Sequence, residues 1–256
     1  MADAWTCAFG AENALMGAAL QGNDQVTGLS VTNLQNDQGA ASTAWRVPGT
    51  EAYLIARLPR PAACRGFSFH RTNLTAGARY SLVARVGDTP VVITDGQISN
   101  TAGGQFLVVF PAEFTITQLD ISISDPGNPD GFLSFPLAYL GPLWQPERNM
   151  SWQGNESQQT TIDETTSLSG VEYPTLRYRQ RVLSIDHQSL NAAELPKIRT
   201  IESVAATGRN ILFVPDLSAP DRNSAMIFGR LTPGEITCPA GAADRRATTM
   251  TIRERL

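Results

Sequence analysis

Thr43–Gly87 reads TAWRVPGTEAYLIARLPRPAACRGFSFHRTNLTAGARYSLVARVG, and short apolar runs alternate in it with clusters of turn formers. Tyr53–Leu58, Gly66–His70 and Arg79–Val86 have the composition of strands, and Pro48-Gly49, Pro59–Pro61 and Thr75–Gly77 are expected to separate them. In the third run Tyr80, Leu82, Ala84 and Val86 fall on one face, with Arg79, Ser81, Val83 and Arg85 on the other. A period of two with a single apolar face describes a strand that covers a core on one side only. Several such strands in close succession predict a β-sandwich.

The same pattern continues beyond Gly87. Val91–Thr94, Gln105–Phe110 and Thr115–Ser124 read as strands, the last with Leu119, Ile121 and Ile123 alternating with Gln118, Asp120, Ser122 and Ser124. A loop dense in turn formers, Asp125–Gly131, precedes one more strand at Phe132–Leu140. Gly141, Pro142 and Pro146 then surround Trp144, which is expected to be exposed at the end of a domain. Residues 147–170 are polar and poor in aliphatics, the composition of an extended or loop-like arm ordered by a neighbouring subunit.

The pattern changes after Glu172. Thr175–Ile185 is a strand, followed by a helix over Pro196–Thr207 with proline in its first turn and Gly208 just past its end. Leu195, Ile198, Ile201, Val204 and Ala205 share one face of that helix. Asn210–Pro215, Ala225–Leu231 and Thr248–Arg253 complete a small antiparallel sheet. The predicted fold is mainly β. A β-sandwich over 1–145 is followed by a polar arm or linker over 146–170 and a smaller α+β domain over 171–256, with one helix on the sheet.

Composition narrows the function classes. The 256 residues are 42% hydrophobic and 17% charged, enough for packed cores. A net charge of −4 argues against a general nucleic-acid binder, which needs a clustered basic surface. Lys197 is the one lysine among 20 basic residues, a bias that fits bidentate contacts or a GC-rich genome. Cys7, Cys64 and Cys238 are odd in number and far apart, as expected of buried, reduced thiols in a protein folded in cytosol. The first 17 residues lack a basic region and a continuous apolar run, so no signal peptide is expected. No run is long enough to span a bilayer, and no membrane partner is expected. The sequons at Asn73, Asn149 and Asn155 are read as coincidental.

No catalytic constellation stands out. His70 and His187 lack the spacing of zinc ligands, and His70 is expected to be structural. No G-x-S-x-G, Walker lysine loop or dinucleotide fingerprint is present, so neither enzyme activity nor a cofactor is expected. A glycosidase-like pair such as Glu51 with Asp120 requires a separation the sequence does not define. Asp125, Asn128 and Asp130 offer oxygen ligands for calcium or, alternatively, hydrogen bonds for a plain turn. Arg177, Arg179 and Arg181 alternate and are expected to share a strand face, facing solvent or a protein partner. Asp163 and Glu164 of a neighbouring arm are candidate counter-charges. Trp144 and Trp152 flank the arm, as interface anchors or as platforms for a sugar ring; Trp45 is expected in the core.

Thr43–Arg46, the strand ending near Leu58, His70–Thr75 with Ala76–Tyr80, and LAYLGPLW at 137–144 together resemble the galactose-binding-like (discoidin) jelly roll of tailed-phage tail proteins. Gly208–Asp216 and Phe228–Thr232 resemble the C-terminal part of siphophage baseplate and distal-tail proteins. The resemblance implies a jelly-roll sandwich and a structural subunit of a tail tip, residing in the virion after folding in the bacterial cytoplasm. Its implied partners are itself, as a ring or trimer, and tail tube, tape-measure and hub proteins. The alternative is a carbohydrate-binding module for a host surface glycan.

Overall fold

The computed structural model describes residues 6–23, 25–98, 102–151, 155–238 and 245–256. In chain order the first strands are β1 (Ala8–Gly10), β2 (Ala19–Gly22), β3 (Trp45–Pro48), β4 (Glu51–His70), β5 (Arg79–Val86) and β6 (Thr89–Gln97). Next come β7 (Phe106–Ser124), β8 (Phe132–Phe135), β9 (Leu137–Gly141), β10 (Glu156–Thr166) and β11 (Glu172–Leu190). The chain continues through α1 (Leu195–Ala206), β12 (Ile211–Val214), α2 (Arg222–Ala225), β13 (Ile227–Thr232), β14 (Ile236–Thr237) and β15 (Arg246–Glu254). These elements form two compact units. One comprises Met1–Pro146 with Ile211–Met226, the other Glu147–Asn210 with Ile227–Leu256.

The first unit is an antiparallel sandwich. One sheet runs β2-β4-β7-β5-β6, with β9 on the far end of β4, and β3 with β8 forms the second. The alternation in β5 is realised over most of the strand: Leu82 and Ala84 are buried and Arg79 and Ser81 exposed, but Val86, expected on the buried face, is exposed at the strand end. Trp45, Val47, Leu133 and Phe135 of the small sheet join one core with Leu54, Phe67, Phe69, Leu82, Leu119 and Ile121. Phe69 is central to it, with ring centroids 4.5 Å from Phe135 and 4.8 Å from Phe67.

The turn expected at Pro59–Pro61 is absent, because β4 runs unbroken from Glu51 to His70 opposite β7. The ladder skips from Arg57 to Ala62 and slips again between Cys64 and Gly66. Proline has no N–H to give to a ladder, so the prolines sit where pairing lapses and the strand bends instead of ending. Pro111 lies within β7 in the same way, which merges the two strands expected on either side of it. Pro136, by contrast, separates β8 from β9.

The Asp125–Gly131 loop is pinned from inside. Buried Asp125 accepts from the Thr75 amide (2.8 Å), the Thr75 hydroxyl (2.6 Å) and Asn128 Nδ2 (3.2 Å). Asn128 Oδ1 accepts from the Asp130 amide at 3.0 Å, and Asp130 accepts from Asn73 Nδ2 at 2.8 Å. The three candidate calcium ligands therefore serve a hydrogen-bonded turn.

In the second unit the strand order is β13-β15-β11-β10, with β14 also on β15, and Ile198 and Ile201 of α1 are buried. Two features depart from the sequence reading. Residues 156–166, expected within an extended or loop-like arm, form a regular strand along β11, because their Thr-rich sequence pairs with 172–183 around a single bulge. Residues 211–226, assigned by sequence to the C-terminal domain, group with the sandwich, where β12 pairs with β1.

Cys7 and Cys64 are buried as expected, whereas Cys238 is exposed. Burial, and then the Glu113 carboxylate, pushes the Cys64 thiol up to about 12. Since the thiolate is the reactive form, a disulfide reagent at pH 8 should modify Cys238 in the native protein and Cys64 only after denaturation. Modification of Cys64 at the rate of Cys238 would contradict this packing. Replacing Asp125 by Ala should lower the unfolding free energy in urea by about 2–4 kcal/mol, because it strands the buried Thr75 donors.

Candidate functional site

The outward face of the large sheet is polar, and its side chains stand in register across four strands. Tyr53, Ser122, Ser81 and Asp95 form one row; Glu51, Ser124, Arg79 and Gln97 form the next. With strands about 4.8 Å apart, each row spans about 14 Å. The middle of both rows is low because it is built of serines, and Tyr53 and Asp95 stand at its sides. The result is a groove of about 690 Å³, with Asn23 at its end. Asn23 is fixed by a pair of bonds, accepting from the Tyr53 amide at 2.8 Å and donating to the Glu51 carbonyl at 3.0 Å.

The neighbouring row, Ile55, Asp120, Val83 and Ile93, bounds the groove on one side. There Asp120 accepts from Arg85 Nε at 2.9 Å and from Gln118 Nε2 at 2.6 Å. Tyr53, like any tyrosine, is a protonated hydrogen-bond donor near neutral pH, and burial and then the Asp120 carboxylate raise its phenol further. Glu51 stands opposite Ser124, four residues along β7 from Asp120. That is about 13 Å of strand between the two backbone positions, and the Asp120 carboxylate is engaged by Arg85 and Gln118. The arrangement suits binding through hydroxyls, carboxylates and one guanidinium around an aromatic ring.

A second, smaller concavity of about 220 Å³ lies among Arg46, Arg71, Asn73, Asp130 and Phe132. Its polar groups are largely spent on the fold. Asn73 donates to Asp130 and to the Phe132 carbonyl and accepts from the Ser134 amide, each at 2.8 Å. Arg71 donates to the Gly39 carbonyl at 2.9 Å, and Arg46 lies 4.4 Å over the Phe132 ring. It braces the loops.

His70 is buried between Ser68 Oγ (2.8 Å) and Gln105 Oε1 (3.0 Å), the structural role expected of it. Trp144 is half-buried, not exposed: its backbone exchanges two 2.8 Å hydrogen bonds with Phe9, and its ring lies 5.8 Å from the Phe9 ring. Trp152 lies outside the described residues.

The arginines do not form one row. A bulge between Thr161 and Ile162 pairs Tyr178 with Thr161 and Leu176 with Ile162, leaving Arg177 as the extra residue. Arg177 bonds to Asp163 of its own hairpin, the counter-charge expected from a neighbour. Arg179 stands opposite Thr160, on the other face from Thr161 and Asp163. Arg181 lies 3.5 Å from Glu254 and 3.8 Å from Glu156, and Glu164 is exposed opposite Pro174. Sequence reasoning missed the groove because its rows exist only once strand order and register are known. The signal available was the outward set Arg79, Ser81, Ser122 and Ser124.

His187 is buried in the second unit, with Nε2 2.7 Å from the Arg148 carbonyl and Nδ1 accepting from the Ser189 amide at 3.4 Å. That environment fits the neutral ring, and burial lowers its pKa against smaller opposing effects of the Arg148 carbonyl, Glu194 and Asp186.

No protein-family model matches the chain, and no curated protein does. Among solved structures it is similar to the lectin domain of lectinolysin complexed with Lewis B antigen, at 11% identity over 50% of this chain and 95% of that one, with a TM-score of 0.41. Chitosan-binding module 1 from the chitosanase/glucanase of Paenibacillus sp. IK-5 is 15% identical over 51% of this chain and 99% of its own, with a TM-score of 0.40. The family 32 carbohydrate-binding module of C. perfringens NanJ, solved with galactose, is 12% identical over 50% and 96%, also at 0.40. None of these three is a phage tail protein.

The histidine makes stability depend on pH. As pH falls through 6.5, the unfolded chain takes up a proton that folded His187 refuses, so stability should decline between pH 6.5 and the lowered native pKa. Histidine ring NMR shifts across pH 5–8 check this; a native His187 midpoint at or above 6.5 would refute it.

Proposed function

We propose that this protein is a non-catalytic glycan-binding module whose outward sheet groove takes a short oligosaccharide. The observation that carries the reading is the groove itself: serine hydroxyls flanked by Tyr53, Glu51, Arg79 and Asp95 around about 690 Å³ of open space. Sugar hydroxyls pair with carboxylates and guanidinium groups, and an aromatic ring offers its face to the apolar side of a pyranose. Glu51 and Asp95 act as acceptors, Arg79 as a donor, and protonated Tyr53 as both platform and donor. A rigid sheet holds these groups in place before ligand arrives, which limits the ordering cost of binding.

A second reading, a structural subunit of a phage tail tip resident in the virion, is favoured by one observation. The β10–β11 hairpin exposes Ile162, Tyr173, Leu176 and Tyr178, as an assembly surface would. Immunogold labelling of purified virions tests it, and labelling confined to the host cell surface would exclude it.

For the glycan reading, an array of bacterial surface oligosaccharides should yield a ligand that is recovered uncleaved. Tyr53→Ala should weaken its binding about tenfold. Ser122→Phe, a change at an exposed position, should fill the groove and abolish binding with little change in the unfolding midpoint. Binding that survives Ser122→Phe would mean that the ligand sits elsewhere.

A further inference from the structure

The β10–β11 hairpin is incomplete as it stands. From Glu156 to Thr166 and from Glu172 to Arg179 its residues are exposed or half-exposed on both faces. A two-stranded ribbon without a packed face is marginal in water. This one nonetheless carries large apolar side chains: Ile162 with Leu176 on one face, Tyr173 and Tyr178 on the other, and Leu168 with Val171 near the tip. The strand β10 ends its sheet, so a whole row of backbone donors and acceptors faces outward. Its sequence, ESQQTTIDETT, contains neither lysine nor proline, the residues that ordinarily block pairing at an exposed edge.

We propose that β10 is a self-complementary docking edge whose occupant is β10 of a second copy of this chain, paired antiparallel about a two-fold axis at Thr161. This is the register that pairs β10 along its full length, Glu156–Thr166, and the charge pattern accommodates it. Placing Thr161 opposite itself sets Gln158 against Glu164 of the second copy and Gln159 against Asp163 of the second copy. Glu156 then faces Thr166. Every carboxylate on the edge meets an amide or a hydroxyl, and no two like charges are opposed. The amide donors of Gln158 and Gln159 reach carboxylates, which are strong acceptors.

The same register gathers the apolar groups. Directly paired residues share a face, so Ile162 faces Thr160 of the second copy and lies diagonal to its Ile162. The two Ile162–Leu176 pairs then form one cluster across the axis of a four-stranded ribbon. The two-fold axis makes the contact isologous, so it closes at a dimer. The surface lies wholly on the second unit and is independent of the groove proposed for glycan.

The test uses the full chain and its mass in solution by sedimentation. The wild type should be a reversible dimer of about micromolar affinity. Gln158→Glu places a second carboxylate against Glu164 of the other copy, twice across the axis, and should weaken the dimer about tenfold. The swap Gln158→Glu with Glu164→Gln exchanges the two groups and should restore wild-type affinity, which a merely structural effect would not do. These positions are exposed, so the fold is unaffected, and glycan binding by the same variants should be unchanged. A wild type that stays monomeric up to about 100 micromolar overturns the proposal. So does a dimer that Gln158→Glu leaves intact, or one that the swap fails to rescue.

Discussion

The pairing of β4 with β7 is the constraint on which the first unit depends. Two long antiparallel strands, Glu51–His70 and Phe106–Ser124, run together from the Glu51–Ser124 pair to the Phe69–Phe106 pair. At one end β7 also carries β5, and so fixes the rows of the groove. At the other end β4 also carries β9, and Phe67 and Phe69 enter the aromatic core. A one-residue slip of β7 would send Leu119, Ile121 and Ile123 to water and Ser122 and Ser124 inward, so burial enforces the register. The bend at the prolines lets one strand pair serve both ends. Without it a flat ladder would have to continue straight past the core it covers.

Much of this was legible in the chain. The alternation of Tyr80, Leu82 and Ala84, and of Leu119, Ile121 and Ile123, marks buried faces because a half-covered sheet imposes a period of two. The helix near Pro196 announced itself through its terminal residues and its three- and four-residue spacing. Prolines misled, because Pro59 and Pro61 read as turn residues yet occupy a bend where the ladder lapses. The same ambiguity hid the bulge at Arg177, which a perfectly regular strand would have placed beside Arg179 and Arg181. Local sequence records which face a residue prefers, but bulges are set by what lies across the ladder.

The binding groove was hidden for a related reason. Tyr53, Ser81, Asp95 and Ser122 come from four separate strands and become neighbours only through strand order. None is unusual alone. By contrast, Asp125, Asn128 and Asp130 are close in sequence and looked like ligands, yet their oxygens are engaged in holding a loop. Adjacency in sequence favours turn-building, whereas a binding surface on a sheet is assembled from distant segments.

The return of Ile211–Met226 to the sandwich has a consequence for how the molecule is made. The first unit gains β12 only after the whole of Glu147–Asn210 has been synthesised, since β1 at Ala8–Gly10 waits for a partner at Ile211–Val214. During that interval β1 holds only its Phe9–Trp144 pair, and its other edge is unmatched on the nascent chain. Closing so long a loop adds little entropy cost over a shorter one, because the cost grows only logarithmically. The delay is one of time and not of free energy. Translation, at roughly 5–20 residues per second, leaves the sandwich unsealed for several seconds. The segment that seals it also closes off Glu147–Asn210 at its far end, so that stretch is held as an insertion and not as a tail.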